Sequence, residues 1–307
     1  MRKFVKKTCL FAFTVLFLLY VMDYCLSRHF DSSKSTTYGT LNEVVQGKAD
    51  ADLLVLGNSR AYRHFSPTIM DSVLGCKSYV LGLSGIAVDK HMALYNLYRH
   101  YYPKPKVVVY NVDISTIMTK TKFFEHRYFP YFWNPAVRKH IFPEEDFSFA
   151  QKFLPMYRYV KYGFFESLKD ATLTVERGYC ATERPFEFKG IQLKALKYDK
   201  NTLQSDRLDE FVQELMADSI KVVFVYGPYY YKTMSLVSVD PWGREYIDQI
   251  ARKYDIPICD FSQDSIMLDS SYFFNYTHMN KLGSEVFSRK VSVAIDDVLK
   301  QNRMVCF

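Results

Sequence analysis

Asp52-Leu53-Leu54-Val55-Leu56-Gly57-Asn58-Ser59-Arg60 decides the fold. Leu53 to Gly57 run without a polar residue, so both faces of the segment are apolar. That is the pattern of a strand buried in a parallel sheet. Gly57 and Asn58 close the strand, and Ser59 then stands at a strand-to-helix turn. At such a turn a hydroxyl is exposed and a backbone N–H can point at a developing oxyanion. Gly, Asn and Ser also suit tight turns on conformational grounds alone. The motif therefore needs a partner elsewhere in the chain before it means chemistry.

Downstream the same rhythm repeats. Ser66-Pro67 opens a helix, with Pro in its first turn. Ser78 to Leu83 is a second strand, closed by Gly82 and Gly85. Val88 to Tyr102 carries helical spacing in Val88, Met92, Tyr95, Tyr98 and Tyr102, until Pro103-Lys104-Pro105 breaks it. Strands are expected within Lys106–Asp113, Lys221–Pro228 and Ile256–Phe261, and helices over 206–219, 240–254 and 281–301. Pro241 enters the second of these helices just past Asp240 as cap. Strands alternating with helices predict an α/β domain over residues 50–307, a parallel sheet with helices on both faces. Ligands in such sheets bind outside the carboxyl ends of the strands.

Residues 114–205 break this rhythm. They hold 20 of the chain's 52 aromatic residues, among them Phe123, Phe124, Tyr128, Phe129, Tyr131, Phe132 and Trp133. A loop of that length without elements of its own does not suit a compact domain. The segment reads as an inserted cap subdomain with an aromatic core. A sugar-binding groove lined by aromatics is the sharper alternative.

Composition narrows the function classes. Of 307 residues, 49% are hydrophobic, enough to order a large core and exclude a disordered chain. Six cysteines are too few for a disulfide scaffold, and none has metal-finger spacing. No G-x-G-x-x-G follows a strand and no P-loop is present, so no cofactor is expected. The net charge of +7 is uneven: residues 1–7 carry +4 and residues 114–205 carry +5. The sheet segments are near neutral, with +2 over 8–113 and −4 over 206–307, so no nucleic-acid partner is expected.

The first residues read as an anchor. Arg2, Lys3, Lys6 and Lys7 precede Thr8–Met22, a stretch without charge that ends at Asp23. As a helix those residues rise about 22 Å, short of a hydrocarbon core of about 30 Å. Counting residues 4–27, with lysines snorkelling and Asp23 at the interface, gives a span. The basic flank keeps the N-terminus inside and exports the rest. A cleaved signal peptide and a buried soluble helix are the rivals. No small-x-small site follows the apolar run, and Asp23-Tyr24 spoils a lipobox at Cys25. Residues 1–27 are thus expected to be a signal-anchor in the inner (cytoplasmic) membrane, crossing once. Residues 28–49 would be a polar stem, and the main domain periplasmic or otherwise extracytoplasmic. Cys76, Cys180, Cys259 and Cys306 would then be exported, as one or two disulfides or as free thiols.

The partner for Ser59 comes near the end, in Tyr272-Phe273-Phe274-Asn275-Tyr276-Thr277-His278-Met279-Asn280-Lys281-Leu282-Gly283. His278 lies after the last strand and before the last helix, at the same sheet edge as Ser59. A Ser–His pair is the minimum for nucleophilic acyl transfer. Gly57-Asn58-Ser59, then Gly82 and Gly85, then His278-Met279-Asn280-x-x-Gly283 together resemble the SGNH (GDSL-type) hydrolases. The resemblance spans residues 50–113 and 206–300 and includes that family's flavodoxin-like order. It is nearest to the membrane-anchored branch in bacterial envelope polysaccharide clusters, similar to the alginate acetylation proteins and the teichoic-acid D-alanyl transfer protein. It implies an esterase or O-acyl (acetyl) transferase, a glycan or acylated polysaccharide as substrate, and a membrane-bound acyltransferase as partner.

Carried over, Ser59 is the nucleophile and one oxyanion donor, Gly82 or Gly85 supplies a second N–H, and His278 is the base. Three positions depart from the family. Asn58 replaces an Asp. Tyr110-Asn111-Val112-Asp113 replaces Gly-x-Asn-Asp, leaving Asn111 as a displaced side-chain donor. Asn275 stands three residues before the His, where an acid is usual. An Asn orients the ring without charge, and a comparable loss costs about 10⁴ in turnover when the tautomer goes wrong. A slow or dyad enzyme, entry of Asp264 or Asp269 as the acid, and binding without turnover all stay open.

Overall fold

The computed structural model describes residues 1–117, 129–141, 148–161, 173–187, 205–234 and 241–304. Five strands are present: β1 (Leu53–Gly57), β2 (Ser78–Gly82), β3 (Val107–Asn111), β4 (Lys221–Tyr226) and β5 (Ile258–Asp260). They form one sheet in the order β2-β1-β3-β4-β5, every pair parallel. This is the flavodoxin-like doubly wound order, whose direction of winding reverses between β1 and β3. Register aligns Gly57 with Gly82 and Leu56 with Tyr110, so the strands finish at a common edge.

The helices are α1 (Arg2–His29), α2 (Gly39–Val45), α3 (Ser59–His64), α4 (Pro67–Leu74), α5 (Val88–Tyr101), α6 (Pro135–Ile141), α7 (Phe149–Phe153), α8 (Tyr157–Lys161), α9 (Ser205–Ala217), α10 (Tyr231–Met234), α11 (Pro241–Lys253) and α12 (Lys281–Met304). Alternate residues along each strand feed two cores. Leu54, Leu56, Val108, Tyr110 and Phe224 pack with Leu94 of α5, Phe211 of α9 and Ile247 of α11. Leu53, Val55, Val109, Val223 and Val225 pack with Ala61 of α3, Met70 of α4 and Phe287 of α12. Burial on both faces is why the strand sequences show no polar alternation. Helix ends match expectation within a few residues, though the expected cap Asp240 lies outside the described residues. Helix α3 is an addition: Ser59 begins its own short helix, separate from the one that Ser66-Pro67 opens.

Residues 28–49 do not stand off as a stem. Phe30, Tyr38, Leu41 and Val44 are buried in the core on the α5 side. Asn42 fastens the segment, donating to the carbonyls of Phe30 and Ser33 at 2.7 Å each. Its apolar residues are sparse and irregularly spaced among Ser and Thr, yet each reaches the core.

Among the described residues the insertion packs at several places. Helix α6 lies on α5, where Asn134 hydrogen-bonds Tyr101. Helices α7 and α8 contact the C-terminal part of α1, through Phe153 on Tyr20, Arg158 on Asp23 and Tyr159 on Ser27. Within residues 173–187, Arg177 and Gly178 lie against the open side of β2, with Val80 N–H donating to the Arg177 carbonyl (3.1 Å), and Cys180 N–H then donates to the Tyr62 carbonyl of α3 (2.8 Å). Phe123, Phe124 and Tyr128 lie outside the described residues. Of the remaining expected aromatics, Tyr131 and Phe132 are buried, one hydrogen-bonded to the Tyr38 carbonyl (3.0 Å) and the other under the Arg158 guanidinium. These two are packing groups.

Helix α1 rises about 42 Å and is long and apolar enough to cross a membrane. Asp23 is not at an exposed interface. It is buried against Arg158, the Trp133 indole N–H (3.1 Å) and the Met156 N–H (2.7 Å). Cys76, Cys180 and Cys259 are free thiols, and Cys306 lies outside the described residues.

Candidate active site

The site begins with two glycines. A Cβ on Gly57 (φ +156°) would meet the Ala61 Cβ at 2.8 Å, and one on Gly82 would meet the Asn58 carbonyl at 3.1 Å. Without side chains, β1 and β2 let the first turn of α3 settle onto the sheet edge. Asn58 is extended, and its side-chain oxygen accepts the Arg60 N–H (2.9 Å), capping α3. Its amide donates to the Ser115 hydroxyl (2.6 Å) beyond β3. Ser59 is thereby held half-buried at the start of α3.

His278 arrives from a tight return of the chain. Phe273 pairs with Met279, and the Phe274 N–H donates to the His278 carbonyl (3.1 Å). The Phe274 ring stacks on the imidazole, 5.6 Å between centroids and 12° between planes. Met279 N–H donates to His64 Nε2 (3.2 Å), tying this turn to α3. Asn280 accepts the Gly283 N–H (3.0 Å) and so starts α12.

These elements bring Ser59 and His278 together: Ser59 Oγ lies 2.8 Å from His278 Nε2. On the other side of the ring, Asn275 Oδ1 lies 3.1 Å from Nδ1. That Oδ1 also accepts the backbone N–H groups of Thr277 (3.0 Å) and His278 (2.9 Å). Two backbone donors fix which end of the amide faces inward, because an NH₂ there would meet them donor to donor. The oxygen end therefore faces the ring, Nδ1 carries the proton, and Nε2 presents its lone pair to the Ser59 hydroxyl. The Thr277 hydroxyl, 3.0 Å from Nδ1, completes this side.

Neither Asp264 nor Asp269 takes the acid's place. Asp264 caps the turn at Ser265 and pairs with Lys290 (2.8 Å), and Asp269 caps the turn at Ser270. With no carboxylate on the ring, its charge is disfavoured. Burial first, then the charges of Arg63 and Arg60, push the His278 pKa down to about 3. The ring is neutral at pH 7, correctly protonated to accept a proton at Nε2, and weakly basic.

Asn111 is fully buried, and its amide donates to the Val225 carbonyl (3.2 Å), tying β3 to β4. That is a different task from the oxyanion donor expected of it. Gly82 sits beside Gly57 in register, and Gly85 takes a left-handed φ of 71° in the loop that follows.

Arg60 and Arg63 were not singled out from the sequence. Arg60 is buried, pairing with Asp113 (2.9 Å), donating to the Gly227 and Pro228 carbonyls and lying 3.8 Å from the Tyr229 ring centroid. It binds the ends of β1, β3 and β4 into one frame. Burial pushes the Asp113 carboxyl up, but the Arg60 charge and hydrogen bonds from Ser115, Arg60 and Asn58 hold it below its ordinary value. Arg63 donates to the Thr182 hydroxyl (2.7 Å) and lies 4.9 Å from the Phe274 ring centroid. The signal was in Ser59-Arg60-Ala61-Tyr62-Arg63: two cations one helical turn apart, directly behind a buried strand.

No protein-family model matches the sequence, and no curated protein matches it. Similar solved structures include an acetyl xylan esterase, AlAXEase, at 10% identity and TM-score 0.40, covering 79% of this chain and 99% of that one. A GDSL-like lipase from Bacteroides thetaiotaomicron VPI-5482 aligns at 10% identity and TM-score 0.39, covering 82% of this chain and 90% of that one. A family two carbohydrate esterase from Clostridium thermocellum, in complex with cellohexaose, aligns at 11% identity and TM-score 0.41, covering 81% and 64%. At such scores these likenesses say nothing about the chemistry of this chain.

Proposed function

We propose that this chain is a membrane-anchored, exported serine esterase or O-acyltransferase of the SGNH type. It would act on O-acyl (acetyl) groups of an envelope or extracellular polysaccharide. The observation that carries this reading is the continuous contact Ser59–His278–Asn275 at the carboxyl edge of the sheet, with the ring proton placed on Nδ1.

In this mechanism Ser59 Oγ attacks the ester carbonyl while His278 Nε2 takes its proton. The Ser59 N–H and an N–H from Gly82 or Gly85 receive the oxyanion. The imidazolium then gives its proton to the departing sugar oxygen, leaving an acyl-Ser59 ester. Water or a second sugar hydroxyl, deprotonated by Nε2, releases the acyl group. Asn275 keeps the tautomer but cannot neutralise the imidazolium, so turnover is below that of a carboxylate triad. Helix α1 with its basic flank supports anchoring and an N-terminus inside. A glycan or acylated polysaccharide substrate near the membrane, with a membrane-bound acyltransferase as partner, fits that placement.

Asn275 and the weakly basic ring also favour a second reading, a catalytically degenerate fold that binds glycan or assists assembly. A fluorophosphonate probe separates the two on the full-length protein in detergent. Labelling of Ser59, lost in Ser59→Ala and slowed in His278→Ala, is expected. No labelling of folded protein rejects the enzyme and leaves the binding reading.

A further inference from the structure

The exit end of α1 is clasped by the insertion. Asp23 is fully buried between Arg158, Trp133 and Met156. One turn earlier, the Tyr20 hydroxyl donates to the Phe153 carbonyl (2.7 Å). One turn later, Ser27 Oγ meets the Tyr159 hydroxyl (3.0 Å). Met156 and Tyr159 pack on Leu19 and Leu26, a single stripe of the helix. Helices α7 and α8 are thus fixed alongside the last turns of the apolar run.

Beside the half-buried Lys152, four strongly exposed side chains there are apolar. Phe149 is 74% exposed, Val160 66%, Phe153 54% and Leu154 47%. They continue the exposed apolar surface of α1, which includes Phe17, Leu18 and Met22. Depth along α1 settles what covers them. Thr8–Met22 is shorter than a hydrocarbon core by about 8 Å. The apolar slab therefore extends past one end of that run. At the outer end the first charge, Asp23, is hidden inside protein, so nothing charged on α1 meets lipid until Arg28, which is exposed. Tyr20, Tyr24 and Trp133 lie over the same turns, as aromatic residues do at a membrane interface.

We infer that the face formed by α7 and α8 is seated in the outer leaflet of the bilayer that α1 crosses, its occupant being lipid acyl chains. This rests on the membrane-anchored reading above. Phe149, Phe153, Leu154 and Val160 enter the interface, and the Asp23–Arg158 pair lies shielded behind them. The domain is then held by a helix and an interfacial wedge together, in one orientation. The strand ends carrying Ser59 keep a set height over the membrane.

Depth-dependent quenching tests it on the full-length chain in nanodiscs of brominated phosphatidylcholine. Trp133→Phe and Trp242→Phe remove the native indoles, leaving Arg158 and the Met156 N–H on Asp23. One reporter is then added at an exposed aromatic position: Phe13→Trp, Phe153→Trp or Tyr231→Trp. Lipid brominated near the glycerol end is expected to quench Phe153→Trp, with a blue-shifted emission. Lipid brominated deep in the chains quenches Phe13→Trp, and Tyr231→Trp, on the domain away from α1, keeps its emission in both. If Phe13→Trp is quenched and Phe153→Trp behaves like Tyr231→Trp, the wedge is refuted while anchoring stands. If Phe13→Trp also escapes, the anchored reading falls and the wedge with it. Quenching of Phe153→Trp that appears only in discs holding a single copy assigns the face to a second copy and overturns lipid as its occupant.

Discussion

Replacing Asn275 with Asp places a charge where a neutral amide oxygen now faces the His278 ring, with almost no change in shape. The oxygen is already 3.1 Å from Nδ1 and already holds two backbone N–H donors. A carboxylate there is therefore well solvated by protein, and the turn survives. Unit charges about 4 Å apart attract by about 4 kcal/mol at an effective dielectric constant near 20. Arg60 and Arg63, which now disfavour the charged ring, are partly satisfied by the same carboxylate and drain part of that gain. Taking half leaves about 2 kcal/mol, or about 1.5 pKa units, in favour of the imidazolium. The His278 pKa accordingly rises from about 3 but stays below the ordinary histidine value. The transition state carries the same imidazolium, so kcat for an activated acetate ester rises by about 30-fold. The assay pairs an NMR titration of the labelled imidazole with initial rates on p-nitrophenyl acetate, for wild type and Asn275→Asp. An unchanged His278 titration together with an unchanged rate would refute the contact between residue 275 and the ring.

Gly82→Ala adds a Cβ 3.1 Å from the Asn58 carbonyl and 3.2 Å from the Tyr62 N–H, both in the backbone that starts α3. The turn must yield, Ser59 moves from Nε2, and fluorophosphonate labelling slows by roughly 10- to 100-fold, a rate that an indifferent α3 would leave at the wild-type value. Acid should also weaken the fold through buried neutral imidazoles. Burial drives the His91 pKa down to about 3, against the pull of Asp113, so the unfolded chain takes up a proton below pH 6.5 that the folded chain refuses. Stability falls as pH drops through that window, by about 3 kcal/mol from His91 alone at pH 4. Urea midpoints between pH 7 and pH 4 measure this, and His91→Leu should flatten the slope; an equally steep profile without His91 rejects the explanation.

Much of the framework was readable from the sequence because it rests on local pattern. Strands buried on both faces leave unbroken apolar runs, and Gly57 and Gly82 mark where two of them stop. The meeting of Ser59 with His278 followed from topology, since parallel strands deliver both to one edge. What stayed hidden depends on pairs far apart in the chain. Nothing near Asp23 announces Arg158, 135 residues away, and nothing near Arg60 announces the carbonyls of Gly227 and Pro228. Residues 28–49 misled for a related reason: four scattered apolar side chains make a good fit to a core without making a periodic signal. Asn275 was legible as a departure and illegible in its orientation. Two backbone donors decide that, and their positions exist only once the turn has formed.

The contact between Val80 and Arg177 reaches beyond cap and site. A sheet whose outer strand is left bare offers a row of unpaired backbone groups to any neighbouring chain. Here β2 is one of the two outer strands, and the segment around Gly178 lies so close to it that a Cβ on that glycine would sit 1.7 Å from the Val80 carbonyl. Protection from self-association is thus supplied by the insertion, not by the sheet. Excising residues 173–187 to obtain a smaller domain would free an adhesive margin, and the product to expect is polymer rather than a trimmed monomer.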